Sequence, residues 1–203
     1  MTSDVIVFDR DSMARARAIV RAGGLIVYPT DTVYGLGCDP TDSRAVGRLI
    51  QTKMRQEKPI SILCSSIEAA MKLVEMNATA HELAERFWPG ALTIVAPLKK
   101  RELPYPIHLG TGTLGVRVPS APLCVDLIES CGGWLTGTSA NLSGSPPSRT
   151  AEEAANQIGD SVDLILDGGR LELPESTVVR VVSNDVQVLR MGSVGVTDEM
   201  KDR

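Results

Sequence analysis

Gly24-Leu25-Ile26-Val27-Tyr28-Pro29-Thr30-Asp31-Thr32-Val33-Tyr34-Gly35-Leu36-Gly37 is the stretch on which the reading of the fold turns. Leu25 to Tyr28 are four consecutive apolar or aromatic residues, the pattern of a strand buried on both faces, and Pro29 ends the run because it has no N–H to give to a ladder. The polar residues Thr30, Asp31, Thr32 and Tyr34 then fall in a loop that closes on Gly35 and Gly37, where backbone can approach a ligand or take positive φ. Polar groups beyond the carboxyl end of a buried strand are where open α/β sheets place ligands. The same residues also fit an ordinary strand-to-helix turn capped by Thr or Asp.

Outward from this stretch, strand-like and helix-like segments alternate. A short strand at 5–8 and a helix over 12–22, capped by Asp9 or Asp11, precede it. After it, Thr41-Asp42-Ser43 opens a helix with Val46, Leu49 and Ile50 on one face, which delivers Lys53 and Arg55 at its C-terminal end, where the dipole favours cations. Strands are expected at 59–64, 92–96, 114–118, 134–138 and 164–166, and helices at 67–76, 78–87, 119–130 and 151–158. Thr150 and Glu153 have capping-box spacing at the start of the last of these. A β pair over 176–182 and 186–189 comes late. The order predicts one α/β domain over 1–193, a twisted mixed open sheet with helices on its faces, followed by a charged tail over 194–203. The proline- and glycine-rich stretch 104–113 reads as a long irregular loop with the makings of a substrate lid.

Composition bounds what the protein does. Its 203 residues are 43% hydrophobic, enough for one sizeable core, and only 3% aromatic, so Val, Ile, Leu, Ala and Met must build that core. A net charge of −4 argues against a broad basic surface for nucleic acid. The four cysteines lack metal or redox spacing and read as buried thiols of a reducing, cytoplasmic compartment, with Cys38, beside the polar loop, reactive if its pKa is lowered. No run is long enough to span a membrane. His81 and His108 are the only histidines, so neither a Ser/His/Asp constellation nor a protein-built metal site is credible. There is no P-loop. What remains is cations, Lys53, Arg55, Lys58, Arg117 and Arg190, set among the hydroxyls of Thr30, Thr32, Thr138, Ser139, Ser143 and Ser176. Such a set suits attack on a phosphorus centre by orientation and charge stabilisation. Arg117, inside an apolar strand, requires a partner or a ligand.

The segments PTDTVYGLG (from Pro29), KMRQEKP (from Lys53), GVRVP (from Gly115), TSANLSG (from Thr138), ESTVV (from Glu175) and VLRMG (from Val188) occur in this order over most of the chain. Together they resemble the YrdC/YciO-type family, whose best-known members are L-threonylcarbamoyladenylate synthases; the signature pairs are Lys53/Arg55 and Ser139/Asn141. The resemblance implies a YrdC-like fold and synthesis of threonylcarbamoyl-AMP from L-threonine, bicarbonate or CO2, and ATP, with Mg2+ accompanying the nucleotide. It also implies a partner transferase that passes the product to tRNA. Position by position, it puts Lys53, Arg55, Lys58, Ser139, Asn141 and Arg190 on nucleotide or phosphate, with Thr113 and Ser148 as lesser contacts and Lys53 and Arg55 as catalytic. Thr32, Arg117, Thr138 and Ser176 fall near the threonine, Arg117 as a fork for its carboxylate. Two positions depart from the pattern: Leu63 stands where the family's synthases have a His that contacts the amino acid, and Gln56 where Pro is usual. Both lean toward the YciO-like branch. The alternatives are therefore a nucleotide-using enzyme with another acceptor and an RNA-binding or ribosome-associated protein using the Lys53/Arg55/Lys58 cleft.

Overall fold

Most helix starts in this chain are written in short polar side chains, whereas the helices Tyr105–His108 and Pro122–Ser130 start at Pro104 and Ala121 without a side-chain cap. A computed structural model describes residues 3–54, 58–183 and 185–195. After β1 (Val5–Val7), the Asp9 carboxylate accepts from Ser12 N at 2.8 Å and Ser12 Oγ accepts from Asp9 N at 3.0 Å, which starts α1 (Arg10–Arg21). Asp42 accepts from Arg44 N and Ala45 N at the start of α2 (Ser43–Thr52). At the start of α7 (Ala151–Ile158), Thr150 accepts from Glu153 N, while the Glu153 carboxylate reaches back to Arg149 N at 2.6 Å, one residue earlier than a capping box requires.

Between these lie β2 (Ile26–Pro29), β3 (Tyr34–Gly37), β4 (Ile62–Cys64), α3 (Ile67–Met71), α4 (Ala78–Phe87), β5 (Leu92–Pro97), α5 (Tyr105–His108), β6 (Thr113–Arg117), α6 (Pro122–Ser130), β7 (Trp134–Thr136) and β8 (Thr138–Ser139). β9 (Leu164–Asp167), β10 (Thr177–Val182) and β11 (Asp185–Arg190) complete the chain. The α/β class and the open mixed sheet flanked by helices are as the sequence predicts. The hydrogen-bonded ladders run β1-β9-β2-β3-β8 and β11-β10-β5-β6-β4-β7. Parallel pairs (β1/β9, β2/β9, β5/β10, β4/β6) are mixed with antiparallel ones. Only Gly137 separates β7 from β8, so the chain steps directly from one ladder to the other. Thr136 ties them, donating its N–H to Cys38 O and its hydroxyl to Leu36 O while accepting from Cys38 N.

The apolar run at 25–28 is explained by two cores. Leu25 and Val27 belong to the larger, with Val46, Leu49, Ile62, Ile94 and Val116; Ile26 and Tyr28 belong to the other, with Val20, Leu127, Ile128 and Leu164. Alternate side chains enter opposite cores, so no position of this strand faces water.

Four local expectations change. Pro29 does not stop the ladder: it ends β2 opposite Tyr34, making residues 30–33 the turn of a hairpin. Gly35 and Gly37 are glycine because the Tyr28 ring lies against them; a Cβ would come within 3.0 and 2.6 Å of it. The helix expected to run to residue 76 ends at Met71, because the backbone beyond it pairs with the end of β5, Leu73 O accepting from Lys99 N and Glu75 N donating to Pro97 O. The stretch 104–113 is no loose lid: it holds α5, buries Ile107 completely, and accepts at the Ile107 carbonyl from Ile60 N at 2.9 Å. Arg55, Gln56 and positions 196–203 of the expected tail lie outside the described residues.

Candidate functional site

The hairpin turn holds its own hydroxyls in place. Thr30 Oγ1 accepts from Thr32 N at 3.0 Å, donates to Val33 O at 2.7 Å and lies 3.1 Å from Thr32 Oγ1, and both threonines are buried. Arg117, last residue of the interior strand β6, reaches this turn. Its Nε donates to Gly90 O at 2.8 Å, Nη1 to Thr32 Oγ1 at 3.2 Å, and Nη2 to the Asp31 carboxylate. Asp31 accepts a further bond from Ser120 Oγ at 2.9 Å. Burial draws the guanidinium pKa down and the Asp31 charge opposes that, so the sequence's demand for a partner is met inside the protein.

Lys53, the C-cap of α2, turns inward. It is 2% exposed, and its Nζ donates to the carbonyls of Ser139 and Asn141 and, at 3.2 Å, to Asn141 Oδ1. Its own carbonyl accepts from Ser143 N at 2.9 Å. The Asn141 amide in turn donates to Ser145 O at 2.6 Å. Lysine and serine-rich loop are therefore one unit: the signature pair Lys53 and Ser139/Asn141 is a physical contact.

At the third wall, Ser176 precedes β10 and shares a 2.9 Å hydrogen bond with Thr93 Oγ1. Arg190, last residue of β11, donates from Nε and Nη2 to Ser176 O at 3.2 and 3.0 Å and from Nη1 to the Glu175 carboxylate at 2.7 Å. Gly192 follows because the chain passes so close that a Cβ would lie 2.1 Å from Glu175 O.

These walls enclose one groove in three compartments. One of about 420 Å³ is lined by Lys53, Lys58, Ser139, Asn141, Ser143 and Glu175, among others. It adjoins one of about 310 Å³, which shares Lys58, Ser139 and Glu175 and adds Leu63, Arg117, Thr138, Ser176 and Arg190. A recess of about 50 Å³ under the hairpin brings Thr30, Thr32 and Tyr34 against Leu63 and Arg117. Of the residues singled out from sequence, Lys53, Lys58, Ser139, Asn141, Arg190, Thr32, Arg117, Thr138 and Ser176 meet here, while Arg55 is outside the described residues. Two stand apart. Thr113 is at the far end of β6 from Arg117 and borders a different cleft. Ser148 is completely buried, donating to Ala140 O at 2.6 Å and accepting from Gln157 Nε2, and so pins the loop from beneath.

Sequence reasoning passed over Glu175, which lines all three compartments; it stands in the quoted segment ESTVV, but nothing in the residue order says that it meets Arg190. Asp31 as the partner of Arg117 was within reach, a carboxylate in the one polar loop facing a buried cation. Cys38 is not the reactive thiol that its neighbours suggested: burial pushes its pKa up to about 12. Among the described residues no cluster of three or more His, Cys, Asp or Glu side chains is arranged to hold a metal, and no helix is long and apolar enough to cross a membrane.

Residues 18–192 match the family model Sua5_yciO_yrdC, described as "Telomere recombination". A putative threonylcarbamoyl-AMP synthase of Mycobacterium tuberculosis is 39% identical over 193 residues, covering 91% of this chain and 88% of that protein. The crystal structure of Pyrococcus abyssi Sua5 complexed with L-threonine superposes with a TM-score of 0.88 at 34% identity, over 94% of this chain but 58% of the archaeal one. The chain thus spans little more than half of that longer relative. Escherichia coli YciO superposes with a TM-score of 0.86 at 29% identity, over 94% of this chain and 96% of that one.

Proposed function

Since the chain belongs to the Sua5/YciO/YrdC family, we propose that it is an L-threonylcarbamoyladenylate synthase serving tRNA N6-threonylcarbamoyladenosine formation. The observation that carries this reading is the continuity of the groove: a cationic compartment at Lys53, Lys58 and Asn141 opens, through the shared Lys58, Ser139 and Glu175, into a hydroxyl-lined recess around Arg117. ATP phosphates suit the first, with Arg55, Ser139 and Arg190 as further contacts, and a small amino acid suits the second, at Thr32, Arg117, Thr138 and Ser176. The relative in complex with L-threonine supports the second assignment.

The chemistry in this reading has two steps. The threonine amine forms an N–C bond to CO2, releasing a proton, or to bicarbonate, whose hydroxyl leaves with that proton as water. A carbamate oxygen then bonds to the α-phosphorus as the bond to pyrophosphate breaks, and pyrophosphate leaves with the electron pair. Lys53, Arg55, Lys58 and Arg190 are the groups that would meet the charge growing on the leaving phosphates, and fixed hydrogen bonds keep the first and last oriented without reorganisation. Arg117 keeps two Nη hydrogens beyond those given to Thr32 and Asp31, and these suit a carboxylate. Mg2+ is compatible with one protein carboxylate, because that ion takes most of its ligands from water and phosphate; Glu175 is the fitting donor, and the ion would supply neutralisation of phosphate charge. The product would pass to a separate transferase.

The test is pyrophosphate release by the purified protein with ATP, Mg2+, bicarbonate and L-threonine, expected only when threonine is present. Equal release without threonine would overturn the reading. One observation favours a second reading, in which a different amino acid accepts the carboxylate and adenylate: Leu63 gives the recess an apolar wall and only 3% exposure. A panel of amino acids with larger apolar side chains, assayed for the same release, separates the two.

A further inference from the structure

A second cleft, of about 460 Å³, shares no lining residue with the groove. It lies where β5 and β10 end and β6 begins, beside the start of α4, and Thr113 on its wall is four strand residues, about 13 Å, from Arg117. Met76, Ala80, Ala96, Pro97 and Val181 make it largely apolar. Two opposite charges border it. Arg180 Nε is buried without a hydrogen-bond partner, and no other atom of that guanidinium has one among the described residues. The Glu75 side chain, at the exposed rim, has neither hydrogen bond nor ion pair among the described residues, so the two charges share a cleft without pairing with each other. Asn77 is not available to either, because its Oδ1 caps Ala80 N and its Nδ2 donates to Ser183 O.

A buried guanidinium nitrogen left unpaired in a native fold costs free energy that a bound acceptor recovers. The cleft volume is within the range of small-molecule sites. A dianion such as phosphate is disfavoured by Glu75, whereas a carboxylate on Arg180 with an ammonium toward Glu75 satisfies both charges. We propose that this cleft is a second small-molecule site, which takes a zwitterionic amino acid with an apolar side chain. It stands on these residues alone and does not depend on the activity assigned to the groove.

The test is isothermal titration with three probes: L-leucine, 4-methylpentanoate, which lacks its amine, and 3-methylbutylamine, which lacks its carboxylate. Leucine should bind saturably and more tightly than either fragment, with NMR shifts at the methyl groups of Ala80, Ala96 and Val181. Arg180→Gln should weaken leucine and 4-methylpentanoate by about tenfold or more, whereas Glu75→Gln should weaken leucine and leave 4-methylpentanoate unchanged or improved. Absence of saturable binding, or binding that ignores Arg180→Gln, overturns the proposal. Equal affinity for leucine and 4-methylpentanoate overturns the zwitterion. Displacement of leucine by ATP overturns it as well, since the cleft would then be an extension of the nucleotide groove.

Discussion

Asp31 and Arg117 form an ion pair whose side chains are only 9% and 5% exposed, and it joins the hairpin turn after β2 to the end of β6. Breaking such a pair from one side leaves a charge buried without its counterpart, which costs about 3–5 kcal/mol. Asp31→Asn should therefore lower stability by that order in urea unfolding. In a double-mutant cycle, Asp31→Leu/Arg117→Met should cost less than the sum of its single changes. Additive losses would mean that the pair is not coupled in solution.

A cation that only complements a helix end is removable at a cost of about 0.3–1 kcal/mol, and position alone makes Lys53 such a charge. Its ammonium instead serves oxygens of Ser139 and Asn141 inside the fold, and unpaired acceptors cost about 1–3 kcal/mol. Lys53→Met should thus lower the unfolding midpoint and abolish turnover together. A midpoint equal to wild type would show that the loop does not depend on this lysine.

Leu63 lines the recess and also packs with Ile26, Tyr28 and Leu135. Leu63→His places a hydrogen-bonding group against the acceptor and should improve the KM for threonine by up to about tenfold, corresponding to about 0.5–1.5 kcal/mol, without changing the KM for ATP. It should also reduce thermal stability, because a polar ring enters an apolar cluster. Threonine-dependent kinetics and a melting curve on one preparation read both effects, and an unchanged threonine KM would remove Leu63 from the acceptor pocket.

Tyr34 donates to Gly169 O at 2.7 Å and sits beside Asp167, and burial raises its pKa to about 12. The unfolded phenol ionises near 10, so this contribution to stability is complete below pH 10 and is lost as pH rises toward 12. Wild type should lose stability more steeply than Tyr34→Phe between those values in urea titrations. Parallel pH profiles would place the Tyr34 hydroxyl in a solvated setting.

The residue order by itself determined the class and most of the elements. Leu25 to Tyr28 announced a strand covered on both faces, and Asp9 or Asp11, Thr41-Asp42-Ser43 and Thr150 announced helix starts, because these signals act between near neighbours. It also named most residues of the groove, since cations and hydroxyls stand out among apolar strands. Only the tertiary structure decided what those residues do to one another. Arg117 is committed to Asp31, 86 positions away, Lys53 to the loop at Ser139, also 86 positions away, and Arg190 to Glu175. Side-chain periodicity reports which face a residue is on, and carries no information about which distant segment comes to lie against that face. The same limit explains why Thr113 and Ser148 looked alike in sequence yet lie outside the groove, one at the far end of its strand and the other beneath the loop it holds.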